Sequence, residues 1–167
     1  MENLSKEGLR PWCGKSPKVL ILGTLPGNMS IRMQAYYQNK SRNSFWKIMQ
    51  SIFPGYDSEN EEKYITSHGI ALWDCLKSGD RMGSTDSGFC GAMSPNDLER
   101  FLDEHPTIHT IVLNGKSTYS SYFSVFFSDI VRKKPMRIEV FNSTANTNAK
   151  PFEVKLREWS KLKELLD

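Results

Sequence analysis

Val19-Leu20-Ile21-Leu22-Gly23-Thr24-Leu25-Pro26-Gly27 decides the fold of this 167-residue chain. Four consecutive apolar residues, β-branched at Val19 and Ile21, follow Pro17 and run into Gly23 and Pro26-Gly27. That pattern describes a strand buried on both faces and ended by a turn. Such strands belong to parallel sheets with helices on either side, and the downstream residues supply both.

Phe45, Ile48, Met49, Ile52 and Phe53 recur at helical spacing and predict a helix over 44–53, closed by Pro54-Gly55. A second helix is expected over 59–68, then a short strand at Ile70-Ala71-Leu72-Trp73. Residues 77–93, rich in Gly, Ser and Asp, read as a long loop of a functional or mobile kind. Ser94-Pro95-Asn96-Asp97 signals a helix start, with Ser94 as N-cap and Asp97 completing a capping-box-like arrangement. Residues 108–113 form the next strand, 117–127 a helix and 136–141 the last strand. Phe152, Leu156, Trp159, Leu162, Leu165 and Leu166 mark one face of the final helix. This alternation predicts one domain over 1–167 of the α/β class. The expected form is a three-layer αβα sandwich on a mainly parallel sheet of about four strands.

Composition narrows the function classes only modestly. A hydrophobic fraction of 38% with 25% charged residues describes an ordinary globular protein. No run of about 20 apolar residues could span a membrane. The N-terminal residues lack the apolar middle of a signal peptide, so a cytoplasmic location is expected. Cys13, Cys75 and Cys90 are odd in number and far apart, which argues against a disulfide framework or a CxxC site. Four clustered thiolates for an iron–sulfur cluster are missing. His68, His105 and His109 have no metal-ligand spacing, so neither metal nor cofactor is expected. The formal net charge of +3 permits a polyanionic partner without requiring one.

In open α/β sheets, ligands bind beyond the carboxyl ends of the strands. Three segments leave such ends with unusual composition: 23–30, 114–117 and 142–150. The first has glycines that allow close backbone approach and a proline that fixes the turn, although a plain strand-to-helix turn fits it equally. It matches neither GxxxxGK[ST] nor GxGxxG, and the chain has no GxSxG. The third is dense in hydroxyl and amide groups of the kind that position phosphates, or that simply face solvent. Tyr36-Tyr37 could offer a stacking face to a nucleobase, or pack in the core. Asp74 and Asp86 flank the long loop as secondary acid–base candidates.

Taken in order, these segments resemble the uracil-DNA glycosylase superfamily, and within it the hypoxanthine-DNA glycosylase group. Residues 23–30 are similar to its G-S-M-P-G-x-x-S loop. Tyr36-Tyr37 and then Arg42-Asn43-Ser44-Phe45-Trp46 are similar to Y-Y-A-H-P-R-N-x-F-W. Gly69-Ile70-Ala71-Leu72-Trp73-Asp74 resembles G-I-x-L-W-D, and Gly83-Ser84-Thr85-Asp86-Ser87 resembles G-S-x-D-S. Asn114-Gly115 matches a strand-ending N-G. Residues 143–149 correspond to S-T-S-P-A-N-A, followed by a K-L-x-x-W helix at 155–159.

The resemblance implies a monofunctional, hydrolytic DNA N-glycosylase, expected as a monomer. It would flip a deaminated base out of DNA and excise it, hypoxanthine first and uracil second, leaving an abasic site. Asn43 is the implied catalytic residue, orienting water or bonding the leaving base, and it could also cap the helix that follows. Gly23, Thr24, Leu25, Pro26 and Gly27 would line the pocket, Tyr37 or Tyr36 would stack on the base, and Asn114 would approach it. Ser143, Thr144, Ala145, Asn146 and Asn148 would hold the DNA, with Ser30, Lys116 and Lys150 as further phosphate contacts.

Three departures stand out. The H-P of the tyrosine segment is replaced by a stretch one residue longer, Gln38-Asn39-Lys40-Ser41. Asn146 replaces the proline of the terminal loop. Leu25 stands where relatives acting on uracil carry an Asp or Asn that positions water. A catalytically silent nucleic-acid-binding module on the same fold is the alternative reading, and a small-molecule hydrolase is a further one.

Overall fold

The computed structural model describes residues 4–167. The strands are β1 (Ser5–Glu7), β2 (Val19–Gly23), β3 (Ile70–Asp74), β4 (Leu76–Arg81), β5 (Phe89–Pro95), β6 (Thr110–Asn114) and β7 (Arg137–Phe141). The helices are α1 (Asn28–Met33), α2 (Phe45–Ile52), α3 (Glu61–Ser67), α4 (Leu98–Glu104), α5 (Ser124–Phe126), α6 (Ser128–Lys133), α7 (Phe152–Trp159) and α8 (Leu162–Leu165).

The main sheet has the order β3-β2-β6-β7, and all three pairings are parallel. β2, β3 and β6 are buried along their whole length, as an uninterrupted apolar run requires in a sheet covered on both sides. Alternation along β2 separates two cores. Val19 and Ile21 pack with Phe45, Trp46, Met49, Ile65 and Trp159 from α2, α3 and α7. Leu20 and Leu22 pack with Leu98, Phe101, Phe123 and Ile130 on the opposite face. The three-layer α/β architecture is therefore as expected.

Four local expectations are corrected. Residues 77–93 are a β4–β5 hairpin, not a loop, and β1 pairs with β4 to complete a second, antiparallel sheet. The polar Gly- and Ser-rich composition hides these strands because cross-strand partners, not intrinsic propensity, define them. Ser94 and Pro95 belong to β5, so the α4 cap is Asp97, whose Oδ1 accepts from Arg100 N at 3.1 Å. The expected helix over 117–127 opens as a π-helical stretch, Thr118–Phe123, before α5; α6 then follows as a separate turn. The final helix is divided at Ser160 into α7 and α8.

The Arg132-Lys133-Lys134 cluster is not a free basic patch. Arg132 pairs with Asp129, Lys133 with Glu99 and Lys134 with Asp103. Among the described residues no helix is long and apolar enough to cross a membrane.

Candidate active site

The carboxyl ends of β2, β6 and β7 meet as the strand-end argument requires. Thr24 Oγ1 lies 3.0 Å from Thr118 Oγ1, and Thr118 Oγ1 donates to Asn114 O at 3.0 Å. Asn114 in turn grips the terminal loop: its Oδ1 accepts from Thr144 N and its Nδ2 donates to Thr144 Oγ1, both at 3.0 Å. Gly115, at φ +114°, passes so close to Ser143 that an added Cβ would stand 3.2 Å from the Ser143 Cβ. Three loops spread over more than a hundred residues of sequence thus form one rim.

The first loop is held from below. Arg81, at the end of β4, has no exposed surface. Its Nη1 donates to Leu25 O at 3.1 Å and its Nη2 donates to Pro26 O. A planar guanidinium can serve two adjacent carbonyls at once, and that fixes the turn. Asp86 accepts from Thr24 Oγ1 at 3.1 Å and from Ser117 Oγ at 3.4 Å. The Leu25 side chain points into the second core beside Trp73 and Leu76. Its side chain goes to packing, so only the Leu25 backbone is left to face the strand-end site.

The tyrosine pair is resolved by burial. Tyr36 is 2% exposed, packs edge-on against Trp12 and donates its hydroxyl to Arg10 O at 2.8 Å. It is a core residue. Tyr37 has φ +58°, a left-handed conformation that is strained for a bulky side chain. Its ring stacks on Phe45 with centroids 4.0 Å apart. Its hydroxyl reaches over Gly23, where an added Cβ would come to 3.3 Å. Of the two, only Tyr37 stands at the strand ends.

Asn43 sits half-buried at the entry to α2. Its Oδ1 accepts from Phe45 N at 2.9 Å, closing a local turn one residue ahead of Ser44, the N-cap of α2. That bond assigns the amide, because an N–H requires the oxygen, and it leaves Nδ2 as a donor without a hydrogen-bond partner among the described residues. The backbone of Asn43 bridges to Ala145, Ser44 N donates to Thr144 O at 2.9 Å, and Asn146 N donates to Arg42 O at 2.8 Å. The Asn43 segment and the terminal loop are therefore one unit.

Lys155, only 3% exposed, staples the other side of that loop, donating to Ala145 O at 3.0 Å and Asn148 O at 2.9 Å. Ser143 Oγ accepts from Ala145 N, and Asn148 Oδ1 accepts from Lys150 N. Between loop and α7 lies an open cavity of about 220 Å³, with Ser44, Asn146, Asn148, Lys150 and Phe152 in its walls.

Electrostatically the strand ends are unusual. Burial pushes the Asp74 carboxyl up to about 7, with Arg81 pulling it down and Asp86 raising it further. Burial also raises Asp86, against its bond from Thr24. Burial raises the Tyr37 hydroxyl far above its ordinary range, and Asp74 adds to this. Groups so perturbed at a strand-end cleft are candidates for function.

The model of the uracil DNA glycosylase superfamily matches residues 11–163, nearly the whole chain and every segment just described. The chain belongs to this superfamily. A relative from Methanosarcina barkeri named hypoxanthine DNA glycosylase is 25% identical over 164 residues, covering 94% of this chain and 97% of the relative. One of the same name from Methanosarcina acetivorans is 28% identical over 158 residues, covering 92% and 95%. The solution NMR structure of a provisionally assigned uracil DNA glycosylase from Methanosarcina acetivorans superposes with a TM-score of 0.79 at 27% identity. It covers 97% of this chain and 98% of its own.

Within this superfamily member, Gly23, Thr24, Pro26, Gly27, Tyr37, Asn43, Asn114 and residues 143–148 all stand on the connected rim. Three expected contacts do not present their side chains there. Tyr36 is core; Thr144 has no exposed surface and acts as the latch for Asn114. Ser30 is buried, and its Oγ accepts from Gln38 N at 3.0 Å, holding the turn that presents Tyr37. Lys116, Asn146 and Lys150 are exposed and free to meet solvent-borne groups. The buried roles of Arg81 and Lys155 are hidden in the sequence, even though Lys155 opens the K-L-x-x-W match, since a Lys or Arg among polar residues reads as a solvated charge. Only a tertiary partner reveals them.

Proposed function

We propose that this protein excises a deaminated base from DNA, with hypoxanthine the leading substrate and uracil the second, and that Asn43 is its principal catalytic residue. The observation that carries the reading is the free Nδ2 donor of Asn43, fixed by the bond from Phe45 N and joined through Ala145 to the terminal loop. Superfamily membership and the names of the two relatives support the substrate class.

A base inside a duplex is out of reach, so the nucleotide must leave the stack and enter the strand-end site. Tyr37, braced by Phe45, offers the stacking face. The bond from C1′ to the base nitrogen then breaks, and its electron pair goes to the base. Water adds through its oxygen to C1′ and releases one proton, while the base takes up another. Negative charge collects on the departing base, and the Asn43 Nδ2 donor stabilises it there. Asn43 carries no charge, so it orients and bonds without acting as a base. Ser143, Ala145, Asn146 and Asn148, with Lys116 and Lys150 at the rim, position the phosphates.

The test is incubation with duplexes carrying hypoxanthine, uracil or xanthine, followed by alkali. Alkali-labile abasic sites at the hypoxanthine position are the expected result. Tight binding with no abasic site would point instead to a silent nucleic-acid-binding module.

A further inference from the structure

Gly23 and Asp74 are register partners at the last residues of β2 and β3. A Cβ added to Gly23 would come to 2.5 Å from Asp74 Oδ1 and 3.3 Å from the Tyr37 hydroxyl, so both groups lean over the glycine where only a hydrogen stands. Asp74 is 5% exposed. Among the described residues, Asp74 Oδ2 is buried without a hydrogen-bond partner, and the buried Tyr37 hydroxyl has no well-aligned one, with the Asn114 side chain within reach. A buried polar atom left unpaired is costly, which calls for an explanation at a strand end of this kind. The Asn114 amide borders the Tyr37 hydroxyl from the neighbouring strand end. These polar atoms close the inner end of the rim formed by residues 23–27, Tyr37 and Asn43.

We infer that the Asp74 carboxyl bonds the departing base across Gly23, with the Tyr37 hydroxyl beside it. This rests on the excision reading above. A neutral carboxyl presents one donor and one acceptor side by side. Deamination gives a base a lactam edge, a C=O next to an N–H, which such a pair meets with two hydrogen bonds. The acid O–H donates to the base carbonyl, and its carbonyl oxygen accepts from the ring N–H. As the bond to the sugar breaks, charge spreads onto the base carbonyl and the donated bond strengthens. The proton stays on Asp74 throughout. An ionised Asp74 could only accept, and would set an anion against the base carbonyl.

The environment of Asp74 favours this form near neutrality. Of the charged groups around it, Asp86 opposes its ionisation and Arg81 favours it, while Tyr36, Tyr37 and Cys75 face it as neutral groups. Burial sets the balance, as it does wherever a carboxylic acid is kept neutral to donate.

Single-turnover release of hypoxanthine from a duplex, measured from about pH 5 to about pH 9 for the parent, Asp74→Asn and Asp74→Leu, tests the inference. The parent rate is expected to fall as pH rises through about 7, approaching a tenfold loss per unit as the donor form is lost. Asp74→Asn keeps a donor and an acceptor but cannot titrate, so its rate should stay within about tenfold of the parent at low pH and lose that alkaline fall. Asp74→Leu should be slower than the parent by about 100-fold or more near pH 5 and should lack the alkaline fall, so that the two rates converge toward about pH 9. Melting curves check that each variant folds; if Asp74→Leu does not, the Asp74→Asn profile decides alone. Retention of the parent's alkaline fall by Asp74→Asn would overturn the role of Asp74 and leave the excision reading standing. A parent that releases no base from any duplex overturns the excision reading itself, and this inference with it.

Discussion

Asn114 and Thr144 are joined by two hydrogen bonds of 3.0 Å, one from the Thr144 amide to Asn114 Oδ1 and one from Asn114 Nδ2 to Thr144 Oγ1. The pair fastens the terminal loop to the end of β6 and so fixes where Ser143 and Asn146 stand relative to Asn43. Asn114→Ala and Thr144→Ala should each lower stability by about 2 kcal/mol, because each leaves a buried partner unsatisfied. The double variant should lose much less than the sum, giving a coupling above about 1 kcal/mol in urea melts. Additive losses would mean the two residues act separately.

Arg81 holds the first loop through the Leu25 and Pro26 carbonyls. Arg81→Met keeps the bulk but removes the donors and the positive neighbour of Asp74 and Asp86. A stability loss of about 3 kcal/mol is expected, with a drop in base release. Arg81→Lys should rescue little, since a single ammonium does not reproduce the planar fork. Full activity in Arg81→Lys would show that charge alone matters.

Asp74 also makes stability depend on pH. It keeps its proton to about pH 7 in the folded chain, whereas an unfolded aspartate releases it near pH 4. Between those values the folded state binds more protons, so stability falls as pH rises across that window. A shift of about three units corresponds to at most about 4 kcal/mol. Asp86, raised in the same direction, adds to the slope. Urea midpoints between about pH 4 and about pH 8 should decline for the parent and decline much less for Asp74→Asn. Equal slopes would contradict the burial argument.

Lys116 and Lys150 stand exposed on the two loops that flank the rim. If both meet phosphates, replacing them with Gln should weaken binding alike for damaged and undamaged duplex. The slope of log affinity against log salt should fall in magnitude by roughly 0.9 for each lysine. An unchanged slope, measured by fluorescence anisotropy at several salt concentrations, would remove them from the DNA path.

Much of this was legible in the sequence, and the reasons are local. Val19 to Leu22 could be read because an unbroken apolar run has few alternatives, and Gly23 and Pro26 mark its end without help from elsewhere. The meeting of Thr24, Asn114 and Thr144 follows from the topology of a parallel sheet, which sends every strand end to one edge. The β4–β5 hairpin was hidden because Ser78, Gly79 and Asp80 become strand only through cross-strand partners in β1 and β5. Ser94 looked like a cap because sequence spacing cannot tell which of two nearby side chains, Ser94 or Asp97, meets a free N–H. Tyr36 and Tyr37 were indistinguishable in sequence, and a single left-handed residue sends one to the core and the other to the strand ends. The buried charges were missed for a common reason: Arg81 and Lys155 each find carbonyl partners far away in the fold or on the far side of a loop.

The most direct test of the account is single-turnover release of free hypoxanthine from a duplex, with the parent and Asn43→Ala measured side by side and binding checked at fixed low salt. The parent should release the base and leave an abasic site. Asn43→Ala should bind DNA, melt within about 2 kcal/mol of the parent given the lost bond to Phe45 N, and release the base at least about 100-fold more slowly. Comparable release by parent and variant, or none by the parent, would contradict the account.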